Sequence, residues 1–171
     1  MKGMKDFKEI LPQNVNNNVF SLIGNEWMLI SASNDGKTNA MTASWGGMGV
    51  LWNKNVVYCF IRPQRYTKEF IDKSDFFTLS FFDEKYKEML GYFGKVSGRD
   101  EDKIKNAGLT LTECETAPVY KEAKLSFICK KLYCSSLIPD GFIDKSLIDK
   151  NYSMGDFHDM YVGEIIKVLE K

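Results

Sequence analysis

One imidazole, His158, serves a chain of 171 residues. Zinc sites built from two or three histidines cannot form, and any Ser-His-Asp or Cys-His group would have to use that residue. The other segments with chemical potential are rich in hydroxyls, glycine and guanidinium. Arg62-Pro63-Gln64-Arg65-Tyr66-Thr67 follows an apolar run and brings two guanidinium groups, hydroxyls and the amides of a helix start to one spot, where a phosphate would suit. A solvated turn, with Arg65 paired to a surface carboxylate, is an equally good reading of that segment alone. Within Gly46-Gly47-Met48-Gly49, the stretch Gly47-Met48-Gly49-Val50-Leu51-Trp52 lacks the third glycine and the following helix of a dinucleotide loop, so the glycines read as a flexible or close-packed loop. Thr42-Ala43-Ser44-Trp45-Gly46 approximates a nucleophile elbow but lacks its first glycine and its helix. Ser97-Gly98-Arg99-Asp100-Glu101-Asp102-Lys103 reads as a capped helix start, and His158, flanked by acids, as a surface imidazole bonded to a carboxylate.

Composition narrows the partners. Lys plus Arg and Asp plus Glu both number 23, so no basic excess exists to collect a nucleic-acid backbone or an anionic membrane surface. The longest apolar runs, residues 56–61 and 76–82, are about a third of what a helix needs to cross a bilayer. The amino terminus, Met1 to Phe7, is charged and lacks the apolar core of a secretory signal, which suggests a cytoplasmic protein. Cys59, Cys114, Cys129 and Cys134 contain no Cys-x-x-Cys and read as buried thiols in a reducing compartment. Cys129 and Cys134 fall on opposite faces of one strand unless a bulge intervenes, so no metal site is expected.

The elements that must position these residues are mostly strands. Glu26 to Ser33 and Thr38 to Trp45 form a hairpin across Asn34-Asp35-Gly36, which tolerates positive φ. The return strand is small and polar where a core strand carries bulky branched residues, so something other than side chains can lie against it. Val56 to Ile61 is apolar on both faces, a covered central strand ended by Arg62-Pro63. Thr67 is the expected N-cap of a short helix burying Phe70 and Ile71; Phe76 to Phe82 is the next strand. Asp83 opens a helix with Tyr86, Met89, Leu90 and Phe93 on one face and Gly94 as its stop, and Asp100 to Ala107 forms another closed by Gly108. Ala123 to Ser136 and Tyr161 to Leu169 are strands with broken alternation, separated by a helical turn at Ser146 to Lys150. The tally predicts one mainly-β domain over residues 1–171, an antiparallel Greek-key-type barrel with short peripheral helices.

Taken together, Thr38 to Gly46, Arg62 to Thr67, Ser97 to Lys103, and His158 through Tyr161-Val162-Gly163-Glu164-Ile165 resemble the flavin reductase-like family, flavoredoxin branch. The similarity runs from about Trp27 to the carboxyl end. It implies an FMN-binding split β-barrel over residues 21–171 after an N-terminal segment of residues 1–20, normally as a homodimer. It further implies noncovalent FMN contacted by Asn39, Met41, Thr42, Ala43, Ser44 and Trp45, with Arg62, Arg65, Tyr66 and Thr67 at the phosphate end and Ser97 and Gly98 completing the loop. Lys103 would place a positive charge near the flavin and His158 would approach as a positioning residue, the two serving as catalytic residues without a general base.

The chemistry the resemblance implies is hydride transfer from the nicotinamide of NAD(P)H to flavin, in which the cofactors supply the reacting atoms. The electron acceptor is left open. Two further readings stand beside the reductase: an FMN-binding electron-transfer protein serving a redox partner without NAD(P)H activity of its own, and a split-barrel module that has lost flavin.

Overall fold

The computed structural model describes residues 6–114 and 117–171; the reading of Met1 to Phe7 as a charged stretch without a signal's apolar core rests mostly on Met1 to Lys5, which lie outside the described residues. Ten strands are present among them: β1 (Lys8–Ile10), β2 (Met28–Asn34), β3 (Lys37–Ala43), β4 (Gly46–Leu51), β5 (Lys54–Ile61), β6 (Phe76–Phe81), β7 (Leu111–Cys114), β8 (Ala117–Tyr120), β9 (Leu125–Ser136) and β10 (Asp159–Glu170). The helices are short: α1 (Val19–Ser21), continuing into a π turn at Leu22–Glu26, then α2 (Tyr66–Lys73), α3 (Lys87–Lys95), α4 (Lys103–Asn106) and α5 (Ser146–Asn151).

All strand pairing is antiparallel, in the order β3-β2-β6-β9-β10-β5-β4, with β1 on the far end of β10 and β7-β8 as a separate hairpin. This is the mainly-β barrel that the strand tally predicts. β3 and β4 follow one another in the chain yet end the paired path at opposite edges, joined only through Ser44-Trp45. The barrel is therefore split at these two residues.

β10 has the length to do two jobs. It pairs with β9 along its whole course, with β5 over Asp159 to Glu164 and with β1 over Val168 to Glu170. Register shifts after Val162 and after Ile165 bend it around the core. At the first, Gly163 lies beneath the Phe77 ring: a Cβ there would stand 2.5 Å from Phe77 Cζ. Phe77, Phe81, Phe127 and Tyr161 fill the barrel interior, all fully buried. A second apolar cluster, including Leu29, Ala40, Leu90, Phe93 and Ile104, seals α3 and α4 against the outer face of β2 and β3.

The hairpin across Asp35 and Gly36 forms with both residues at positive φ. Several expectations give way. The glycine segment is not a loop: Gly46 to Leu51 pairs with β5, and a Cβ at Gly46 would meet Tyr58 O at 2.6 Å. Glycine lets the two backbones approach there, so a low strand propensity marks close packing. α2 starts two residues early, with Arg65 as N-cap, because the Thr67 hydroxyl is taken up by Asn39 inside the first turn. Gly94 does not stop α3, which runs to Lys95. Asp83 makes no side-chain cap, and the residues after it form a 3-10 turn before α3. β5 is not covered evenly: Val57, Cys59 and Ile61 are buried on one face, while on the other Val56 is buried and Tyr58 and Phe60 are only partly covered. Cys59, Cys114 and Cys129 are buried but Cys134 is exposed. The bulge that skips Leu132 puts Cys134, like Cys59, opposite Tyr161, so the odd spacing from Cys129 no longer separates the faces.

Candidate functional site

Two adjoining cavities open along the split. The larger, of about 290 Å³, is lined by Met41 to Trp45, Phe60, Arg62, Arg65, Gly94 and His158. The second, of about 150 Å³, shares Met41 and Arg65 with it and is lined further by Asn39, Gln64, Tyr66, Thr67, residues 95–98 and Lys103. Every residue that the resemblance assigns to the cofactor lines one cavity or both. β3 supplies the floor, and its small side chains leave the cavities open where bulkier ones would fill them.

The second cavity is built around Asn39. Its Nδ2 donates to Thr67 Oγ1 at 2.9 Å, and both residues are buried. Thr67 Oγ1 donates to no acceptor among the described residues, so its proton is available to the cavity. Gly98 comes so close that a Cβ would overlap Asn39 Oδ1, which is why this loop position carries glycine. Arg65 donates to Gly94 O at 2.9 Å and to Phe93 O at 3.4 Å, bridging the start of α2 to the end of α3. Neither of its partners is a carboxylate, so the solvated-turn reading of Arg65 does not hold.

Lys103 opens α4, whose N-cap Asp102 accepts from Lys105 N. The capped helix start is thus real, yet Lys103 is no surface residue. Its side chain is buried, and Nζ donates to Ala40 O at 2.8 Å and Phe93 O at 3.2 Å, crossing from α4 to β3 and α3. Burial, reinforced by the neighbouring Arg65 charge, lowers its pKa to about 8.

The two arginines part company. Arg62 ends β5 and turns toward the opposite end, pairing with Asp156 and donating to Asn151 O at 2.9 Å. It lines the larger cavity only, so the expected pair of guanidiniums at one phosphate spot reduces there to Arg65, with Lys103 as the second cation. The turn through Pro63, closed by Arg65 N to Arg62 O, separates their directions. Arg99 stands nearby instead, 4.6 Å from the Tyr66 ring centre and paired with Glu69.

His158 is buried beside Trp45, with ring centroids 5.1 Å apart. Its partner is the Tyr152 hydroxyl, 2.9 Å from Nδ1, in place of the expected surface carboxylate. Burial first, and Arg62 second, pull its pKa down to about 4, so the ring is neutral near pH 7. Phe60, Gln64, Gly94, Lys95 and Val96 line the cavities and Tyr152 and Asp156 support them without having been singled out from the sequence. Phe60 had a readable signal, since period-two alternation in β5 turns it away from Cys59 and Ile61; the others depend on contacts between distant segments.

A cleft between β3, β5, α2 and α3, with hydroxyls and cations at one end and an indole and a neutral imidazole at the other, suits an elongated planar ligand with an anionic terminus. Residues 20–171 match the model of the flavin reductase like domain, and the chain belongs to that family. No curated protein sequence matches. Among solved structures, the FMN-binding domain of a flavin reductases-like enzyme from Shewanella baltica superposes with a TM-score of 0.69 at 18% identity, covering 96% of this chain and 76% of that one. Flavoredoxin from Methanosarcina acetivorans does so with a TM-score of 0.67 at 25% identity, over 96% and 76%. An FMN-binding protein from Thermus thermophilus, with bound p-hydroxybenzaldehyde, gives 0.67 at 20% identity, over 85% and 71%. Among the described residues no helix is long and apolar enough to cross a membrane.

Proposed function

We propose that this chain binds FMN noncovalently along the split and acts as a cytoplasmic NAD(P)H-dependent flavin oxidoreductase. The observation that carries this reading is the pair of adjoining cavities floored by β3, polar and cationic at the Asn39–Thr67–Lys103 end and aromatic at the Trp45–His158 end. The donor set fits the group. Thr67, Ser97, Arg65 and Lys103 can meet a single phosphate, the small residues Thr42, Ala43 and Ser44 leave room for a flat ring system, and no glycine-rich loop is present for a pyrophosphate. Bound there, FMN would supply the two-electron chemistry, taking hydride from a reduced nicotinamide. The chain's own residues then bind, orient and polarise: Arg65 and Thr67 hold the phosphate, Lys103 adds a positive charge at that end of the cleft beneath β3, and Trp45 and His158 shape the outer face of the other end.

FMN titration tests the site. Arg65→Ala and Thr67→Ala are each expected to weaken FMN by about ten- to a hundredfold, since a charged hydrogen bond to phosphate contributes roughly 1.5–3 kcal/mol. Wild-type affinity in both variants would remove this segment from the site, and FAD bound more tightly than FMN would count against a one-phosphate terminus.

A second reading, an FMN-binding electron-transfer protein without NAD(P)H activity, is favoured by the likeness to the Methanosarcina flavoredoxin. Stopped-flow mixing of the FMN-loaded protein with NADH and NADPH separates the two: bleaching with either supports the reductase, and none with both supports the carrier.

The proposal includes a homodimer. Of 23 aromatic residues, Trp45 and Trp52 stand well exposed beside the split, together with Val50 on β4. Exposed apolar surface of this kind favours a partner. Light scattering at micromolar concentration should give twice the monomer mass with FMN bound; the monomer mass with FMN retained would exclude the dimer.

A further inference from the structure

Tyr152, at the C-terminal end of α5, is an anchored residue. Its ring stacks on Phe157 with centroids 4.8 Å apart, meets Phe142 edge-on at 5.7 Å and carries the Arg62 guanidinium 5.3 Å from its centre. Its backbone N–H donates to Ile148 O at 2.7 Å. A tyrosine held on three sides cannot follow a moving imidazole, so its hydroxyl, 2.9 Å from His158 Nδ1, determines where that imidazole sits.

Two proton arrangements satisfy the pair. The hydroxyl can donate to a bare Nδ1, leaving the ring proton on Nε2, or Nδ1–H can donate to the phenol oxygen. The second arrangement strands the phenolic proton, because Tyr152 is buried and its hydroxyl has no other hydrogen-bond partner among the described residues. The first strands nothing. Nε2 has no hydrogen-bond partner among the described residues, and His158 lines the cavity beside Trp45, so Nε2–H can reach water or a ligand there. The charged groups around the ring do not reverse this choice. Arg62 just after β5 opposes a second proton, Asp156 before β10 and Asp159 within it favour one, and both acids are already engaged, Asp156 by Arg62 and Asp159 by Lys68 of α2.

We propose that Tyr152 is a positioning residue that selects the tautomer of His158, its hydroxyl donating to Nδ1 so that Nε2–H is presented to the cleft as a fixed hydrogen-bond donor. Such a donor suits an oxygen acceptor on a planar ligand packed against Trp45. It also makes His158 a hydrogen-bonding residue rather than a proton carrier. The ligand's identity rests on the flavin reading above; the tautomer is a property of the chain alone.

Because His158 is the only histidine, a long-range ¹H–¹⁵N spectrum of the labelled protein reports this ring without ambiguity. The wild type should show a bare Nδ1 and a protonated Nε2, unchanged from about pH 5.5 to 8. Tyr152→Phe retains the aromatic stack and deletes the donor. It should show mixed tautomers and a titration raised by about one pH unit, the equivalent of one hydrogen bond. A wild-type ring protonated on Nδ1, or doubly protonated near pH 7, overturns the proposal even if the variant fails to fold. An unaltered tautomer and titration in a folded Tyr152→Phe overturns it as well. The spectra are taken without flavin, so failure of FMN titration leaves this result standing and failure here leaves that titration untouched.

Discussion

Lys103→Ala is expected to lower both the stability of the fold and the midpoint potential of bound flavin. The ammonium satisfies Ala40 O and Phe93 O at a buried junction of β3, α3 and α4 that borders the second cavity. Removing it leaves Ala40 O short of a donor and Phe93 O with only the longer contact from Arg65, so a loss on the order of 2–4 kcal/mol is anticipated. In a chain of this size that lowers the melting temperature by about 5–15 °C. In the FMN-loaded protein, a partly buried unit charge near a cofactor that gains negative charge on reduction contributes roughly 1–3 kcal/mol, which corresponds to about 20–65 mV. The lysine also makes both differences depend on pH. Since the folded chain releases this proton near 8 and an unperturbed lysine near 10.5, the unfolded chain binds more protons between those values. Wild-type stability therefore rises relative to the variant across that window, while the difference in potential fades above about 8 as the charge is lost. Melting curves and redox titrations at about pH 7 and 9 check both. An unchanged melting temperature together with an unchanged potential would reduce Lys103 to a bystander.

Phe77→Ala should be still more damaging to stability, at about 3–5 kcal/mol, because it deletes a fully buried ring at the centre of the barrel. The ring lies over Gly163, where β10 shifts register against β9, and it covers backbone that has no side chain of its own. Its loss opens a void that neighbouring strands cannot close without breaking their ladders. Gly163→Ala should also destabilise, by roughly 1–3 kcal/mol, since the new methyl would stand within 3 Å of Phe77 ring carbons and at 3.0 Å from Cys129 Cβ. In Phe77→Ala the same methyl enters vacated space. The double variant should therefore be less destabilised than the sum of the two singles, with a coupling above about 0.5 kcal/mol in denaturant titrations. Strict additivity would show that the ring and the glycine do not pack as a unit.

Much of this architecture was legible in the chain itself. Period-two alternation, paired turn residues at Asp35-Gly36 and the proline after Ile61 are local signals, and they marked β2, β3, β5, β6, β9 and β10 within a few residues. The small-residue run Thr38 to Ser44 also announced that something other than side chains belonged beside it, and the structure places two cavities there. β4 and the β7-β8 hairpin were not legible. The first owes its form to a partner strand that glycine allows to approach, while Trp52 and Asn53 make the turn out of it at positive φ, a conformation that asparagine tolerates but tryptophan does not advertise. The second is a short pairing closed by Ala117 and Val119 packing under Ile128 and Leu169.

At the site, the sequence by itself determined the inventory: one imidazole, one run of small polar residues, and two basic segments on either side of α2 and α3. Only tertiary structure decided the roles. It divided Arg62 from Arg65, buried Lys103 between two carbonyls and exchanged a carboxylate for Tyr152 as the partner of His158. The reason is physical. Side-chain chemistry is a property of one residue, but burial, charge neighbours and hydrogen-bond direction are set by segments far apart in the chain, 63 positions for Lys103 and Ala40, and they exist only once the split barrel has closed around its core.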